Sequence, residues 1–140
     1  MPWLSGRVLV AHDLSAAAGR ALGVAAQIVG DPSRLDVVFV LARVDSDHPL
    51  MVWPAVDDSA RRGHALAALR AELHDRGLEA ARVHVEVGDP RHRIAVAAAR
   101  LGSALVVVAP HGHTGPGRLA LGSVAQAVVR TAPCQVLVTR

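Results

Sequence analysis

Lysine and tyrosine are both missing from this 140-residue chain, and cysteine and phenylalanine each occur once. Each absence removes a class of function. Without lysine there is no Walker A phosphate loop, whose GxxxxGK[ST] pattern needs that cation. With no Tyr, one Phe and two Trp, the chain lacks the aromatic platforms on which single-stranded nucleic acids stack. A lone cysteine, Cys134, permits neither a disulfide framework nor a cysteine metal site within one chain. No apolar run approaches the roughly 20 residues that a bilayer span requires, and residues 1–7 carry no signal-peptide apolar region. The expectation is a cytoplasmic protein with no membrane partner.

The basic residues, 15 in number and all Arg, stand against 12 acidic ones for a formal net charge of +3. They are scattered along the chain instead of gathered on one stripe, which argues against nucleic acid as a partner. What the chain has in quantity is Ala, Val and Leu; hydrophobic residues make up 51% of it. A chain of this length supports one domain with a finely packed aliphatic core and is too short for two, so residues 1–140 are expected to form a single domain.

Strand-like and helix-like segments alternate throughout. Residues 7–11 (RVLVA) form a short apolar run of the kind buried on both faces of a sheet. After His12-Asp13-Leu14-Ser15, helical periodicity places Ala18, Leu22, Ala25 and Val29 on one stripe that ends at Gly30. A turn at Asp31-Pro32-Ser33 leads to a second strand over residues 35–44. Residues 45–55 read as a loop, after which Asp57 or Asp58 caps a long helix. That helix has Leu66, Leu69 and Leu73 inward, Arg61, Arg62, Arg70 and Glu72 on the wet face, and Gly77 at its end. Residues 83–87 (VHVEV) alternate, as a strand near a sheet edge does. Asp89 and Pro90 then suit the cap and first position of a helix carrying Ile94, Ala97 or Ala98, and Leu101, closed by Gly102. Residues 104–108 are the most uniformly apolar strand and are expected to be central. A last helix starts near Ser123 with Val124, Ala127 and Val128 inward, and residues 136–138 form the final strand. Five strands alternating with four helices specify an α/β fold, a parallel sheet covered by helices on both faces. Ligands of such sheets bind beyond the carboxyl ends of the strands, where the strand order reverses.

Polar residues gather at two strand ends, His12 to Ser15 and the stretch from His111 to Ser123. In the second, a strand, a glycine-bearing loop and a helix N-terminus follow one another, which is a cradle for an anion. Gly112 and Gly122 allow close approach of backbone to a phosphate, and Ser123 adds a hydroxyl. The competing reading is that Gly112, Gly115 and Gly117 only shape a loop and Ser123 caps a helix. Asp13 is either an acceptor for a ribose hydroxyl or an adenine amino group, or a turn-forming residue. His12, Asp13 and Ser15 do not make a catalytic triad, because successive residues leaving a strand point to opposite faces. His111 with His113, and the Asp45-Ser46-Asp47-His48 stretch, match no metal-ligand spacing and read as solvated loop residues. Met51-Val52-Trp53 covers the pocket, meets a partner chain or tucks under its own helix; its residues do not choose among these.

Three elements resemble the universal stress protein family over nearly the whole chain: Val8 to Ser15, ending in Asp-x-Ser; Val87-Gly88-Asp89-Pro90 with Ile94 beyond; and Val106 to Gly122-Ser123 running on into Ala132-Pro133-Cys134-Gln135-Val136-Leu137-Val138. The resemblance implies a Rossmann-like, adenine nucleotide alpha hydrolase-like sheet of strand order 3-2-1-4-5, which brings Asp13 and the 109–123 loop into one crevice. Nucleotide-binding members carry Gly-x-x-Gly, nine residues, then Gly-Ser or Gly-Thr. Here Gly112, Gly122 and Ser123 match, while Ala109 stands at the first glycine and Arg43 at a small residue lining the adenine pocket. The cofactor-binding set implied is Ala11, His12, Asp13, Arg43, Val108, Ala109, Gly112, Gly122, Ser123 and Val124, with ATP, and Mg alongside it, as the ligand. Ala109 adds one methyl group; Arg43 fills the adenine slot, stacks on the base or reaches a phosphate. The family's last strand also implies a homodimer through Val136, Leu137 and Val138.

The expectation is therefore a cytoplasmic stress-response module that binds ATP, with at most slow hydrolysis because no general base is evident. The alternative is a family member that binds no nucleotide and acts as a dimeric interaction protein.

Overall fold

Short apolar runs separated by amphipathic helical stretches have one economical packing: strands side by side and parallel, with helices crossing over either face. A computed structural model describes residues 4–43, 58–111 and 121–140. In chain order it has β1 (Arg7–Ala11), α1 (Ala16–Val29), a single 3-10 turn (Pro32–Arg34), β2 (Leu35–Leu41), α2 (Asp58–Asp75), β3 (Arg82–Val87), α3 (Pro90–Leu101), β4 (Ser103–Val108), α4 (Ser123–Thr131) and β5 (Gln135–Val138). All strands pair in parallel, in the order β3-β2-β1-β4-β5. This is the expected order, with the alternating 83–87 strand at one edge. At the middle of the sheet Val10 lies between Val37 of β2 and Val107 of β4.

The period of two along β1 divides the core. Val8 and Val10 pack with Leu22, Ala25, Leu69 and Leu73 beneath α1 and α2. Leu9 packs with Ile94, Ala97, Ala125 and Val128 beneath α3 and α4. Local chemistry sets the helix ends. Ser15 caps α1, its Oγ accepting the Ala18 amide at 3.1 Å, and Asp89 caps α3 with Pro90 at the first turn. Gly102 closes α3 in the left-handed region, φ 63°.

Some boundaries and faces differ from the sequence expectation. β2 stops at Leu41 instead of reaching residue 44. The Leu41 carbonyl takes the amide of Gly88, after which the chain of β3 turns into α3 and no neighbouring strand remains. The buried stripe of α2 is Ala65, Leu69 and Leu73; these lie four apart on one line, and Leu66 sits at its flank, partly buried. In α4 the buried pair is Ala125 and Val128, with Val124 and Ala127 half-buried beside them. The loops 45–55 and 112–120, with Met51-Val52-Trp53 and Gly112, lie outside the described residues.

One charge is fully buried in the sheet. Asp36, 0% exposed, accepts Arg7 Nε at 2.6 Å and Arg82 Nε at 2.8 Å, and His84 Nε2 sits 2.9 Å from its Oδ1. The cluster ties β1, β2 and β3 together at the end of the sheet away from the crevice. Burial alone would push the Asp36 carboxyl up; the hydrogen bonds from Arg7, Arg82 and His84 outweigh it and hold it at about 2.

Candidate functional site

With β1 between β2 and β4, the crossovers on its two sides leave toward opposite faces and a crevice opens at the carboxyl ends of β1 and β4. Two sequence-distant segments start from that end of the sheet, the turn leaving β1 and the chain leaving β4.

On the β1 side, the His12 amide donates to the Val38 carbonyl at 2.9 Å and carries the ladder one residue past Ala11. Asp13 is exposed, and its Oδ1 accepts the Ser15 amide at 3.0 Å. Asp13 and Ser15 thus have the turn and cap roles that their residue types favour. His12 differs from what a crevice residue would suggest: its ring is turned inward and buried. What it offers a ligand is main chain.

On the β4 side, Val108 is buried and its carbonyl accepts the Thr139 amide at 3.0 Å. Ala109 packs its methyl against the α1/α2 core. Among the described residues Leu14 alone, glycines aside, has a positive φ, so the backbone at 109 is ordinary and an alanine fits it without strain. The Gly122 amide reaches back to the Pro110 carbonyl at 2.6 Å. A Cβ on Gly122 would lie 3.3 Å from both the His111 Cα and the Pro110 carbonyl oxygen, so this glycine permits a close approach of two backbones.

The start of α4 carries the strongest electrostatic signal. Gly122 occupies the cap position, where Ser123 was a candidate, and among the described residues no side chain caps this helix. In α1 and α3 the protein's own Ser15 and Asp89 occupy that place. The first amides of α4, from Ser123 onward, stand at the positive end of the helix dipole, where no described side chain caps them. Ser123 is exposed and Val124 half-buried.

Arg43 lies two residues past β2 and is exposed. The chain beside it is held by a residue whose role local periodicity could not reveal: Arg61 of α2 donates to the Ala42 carbonyl at 3.0 Å and to Asp58 at 3.2 Å. Glu72 was likewise placed on the wet face of α2, yet its Oε2 lies 3.0 Å from His12 Nε2. Only the packing of α2 beside the ends of β1 and β2 brings Glu72 to His12 and Arg61 to Ala42.

Burial pushes the Cys134 thiol up, away from a reactive thiolate. Among the described residues no cluster of His, Cys, Asp and Glu could hold a metal ion, and no helix is long and apolar enough to cross a membrane.

The fold has counterparts in known proteins. The chain is similar to universal stress protein UspA from Lactobacillus plantarum, at 29% identity and a TM-score of 0.76 over 98% of this chain and 99% of that one. It is similar to a universal stress protein family member from Burkholderia pseudomallei at 28% identity, TM-score 0.68, over 96% of this chain and 95% of that one. A universal stress protein solved in complex with cAMP matches at 26% identity, TM-score 0.71, over 96% and 97% of the two chains. No curated protein matches the chain. The model of the universal stress protein family matches residues 5–140, and the chain belongs to that family.

Proposed function

We propose that this universal stress protein binds an adenine nucleotide, ATP, in the crevice between Asp13 and the 109–123 segment, and works as a nucleotide-responsive module of the cytoplasm. The observation that carries the reading is the start of α4 at Gly122, a positive helix end at the strand-order reversal that no side chain among the described residues caps. The triphosphate lies against the amides of Ser123 and Val124, and Asp13 accepts from the ribose or the adenine amino group. Main chain from Ala11, His12, Val108 and Ala109 forms the floor, and Gly112 and Gly122 admit the phosphates. With no protein cluster suited to a metal among the described residues, Mg arrives on the triphosphate itself. Hydrolysis is slow at most, since among the described residues no general base is placed for attack by water. The relative solved with cAMP supports an adenine ligand and makes the cyclic nucleotide the natural competitor.

The protein acts as one domain over residues 1–140 and pairs as a homodimer along β5, an edge strand whose Val136, Leu137 and Val138 are only half-buried. Arg43 favours a second reading, a dimeric interaction protein without nucleotide, because an exposed cation stands where a small apolar residue lines the adenine pocket of nucleotide-binding relatives.

The test is mass spectrometry of the small molecules released when freshly purified protein is denatured, followed by calorimetric titration with ATP, ADP and cAMP. Stoichiometric ATP or ADP, or saturable binding of ATP, is expected. An empty protein that ignores all three nucleotides overturns the reading in favour of the second.

A further inference from the structure

One buried titratable side chain has no part in the crevice chemistry described so far. The His12 ring is 1% exposed; its Nδ1 accepts the Leu14 amide at 2.9 Å, and its Nε2 lies 3.0 Å from Glu72 Oε2. A ring nitrogen that accepts an N–H carries no proton, so the neutral ring holds its proton on Nε2, facing Glu72. Nε2 stands off the line of a full hydrogen bond to that carboxylate, and the pairing orients the ring by electrostatics. Glu72 is held in turn by Arg76 Nη2 at 3.0 Å. Helix α1 leaves room for both through Gly19, where a Cβ would come within 3.1 Å of Glu72 Oε1 and 3.2 Å of Arg76 Nη2.

What Nδ1 holds is a conformation that leucine avoids. Leu14 has φ 67°, the only positive φ of a non-glycine among the described residues, where Cβ crowds the backbone. Asp13 lies between His12 and Leu14. Three side chains grip this turn in succession: His12 takes the Leu14 amide, Asp13 takes the Ser15 amide and Ser15 takes the Ala18 amide.

We propose that His12 is a positioning residue for the crevice: Nδ1 holds the left-handed Leu14 and with it the placement of Asp13, while Glu72 keeps the ring proton on the opposite nitrogen. A contact made from α2 thus sets the geometry of the β1 turn. The effect on affinity rests on the nucleotide reading above; the effect on the turn does not.

The experiment exploits the different reach of two amides. Asn places its oxygen near the position of Nδ1, whereas Gln places its amide near Nε2. In unliganded protein the Leu14 amide of H12N exchanges hydrogen at close to the wild-type rate, and that of H12Q about tenfold faster. ATP affinity follows the same order, within about twofold of wild type for H12N and about tenfold weaker for H12Q. Nitrogen-15 NMR of the wild-type ring, which needs no variant, shows the proton on Nε2. A ring protonated on Nδ1, or equal Leu14 exchange in H12N and H12Q, overturns the proposal. Equal ATP affinity in the two variants overturns the link to Asp13. Wild-type protein that binds no nucleotide but keeps the exchange order overturns the function reading and supports the positioning role in the turn.

Discussion

The Gly122 amide donates to the Pro110 carbonyl across 2.6 Å, tying the start of the segment after β4 to the cap of α4. A side chain at 122 would press on the His111 Cα and the Pro110 oxygen at 3.3 Å, and neither atom can rotate away as a side chain would. Gly122→Val is expected to abolish ATP binding, by at least about a hundredfold, because the backbone cradle opens and a bulky group stands at the helix start. The core clusters do not include this position, so the circular dichroism spectrum keeps its folded form while the unfolding temperature falls by a few degrees. Unchanged affinity by calorimetry would remove this corner from the site.

Ala109 occupies an ordinary backbone conformation and packs into the core beneath α1 and α2. Restoring the family's glycine with Ala109→Gly is therefore expected to leave ATP affinity within about twofold while lowering stability by about 1 kcal/mol, through added chain entropy and a lost methyl contact. Paired titration and urea unfolding check this. A gain in affinity beyond about tenfold would show that the methyl group obstructs the ligand.

The Asp36 cluster makes a pH-dependent contribution. Its carboxyl is held at about 2 against an ordinary 3.8, so the folded value is the lower one. The stability it confers is fully present above pH 3.8 and is lost as pH falls through about 2. The size is about 2 kcal/mol. Asp36→Asn leaves Arg7 and Arg82 facing no charge and should cost about 3 kcal/mol near neutrality. Urea unfolding of both proteins at pH 6 and pH 2 should show the gap between them shrinking by about 2 kcal/mol in acid. A gap that does not change with pH would mean that Asp36 is not the group titrating.

Much of this architecture was legible along the chain because its causes are local. The apolar run of β1, the Asp89-Pro90 start and Gly102 end of α3, and the alternation of β3 each depend on neighbours within a turn or a pleat. The glycine-serine step at 122–123 was visible for the same reason, although which of the two residues caps α4 was not. That choice depends on the Pro110 carbonyl, which captures the Gly122 amide and fixes where the helix begins.

Other relationships have no local cause. Periodicity put Glu72 and Arg61 on the solvent side of α2, yet one faces His12 and the other holds Ala42. Both lie at the margin of the buried stripe, where long side chains can turn toward whatever is packed beside them. Asp36 is one polar residue in an apolar strand, and its three cationic and imidazole partners come from β1 and β3. By itself, the sequence determined the order of elements, the parallel α/β class, the family and the two strand ends that form the crevice, because hydrophobic period, capping chemistry and glycine placement act over a few residues. Only the tertiary structure decided that His12 turns inward, that Glu72 meets it and that Asp36 is shared by three strands. A buried polar group takes its partner from whichever element packing brings within about 3 Å, and no local pattern records that choice.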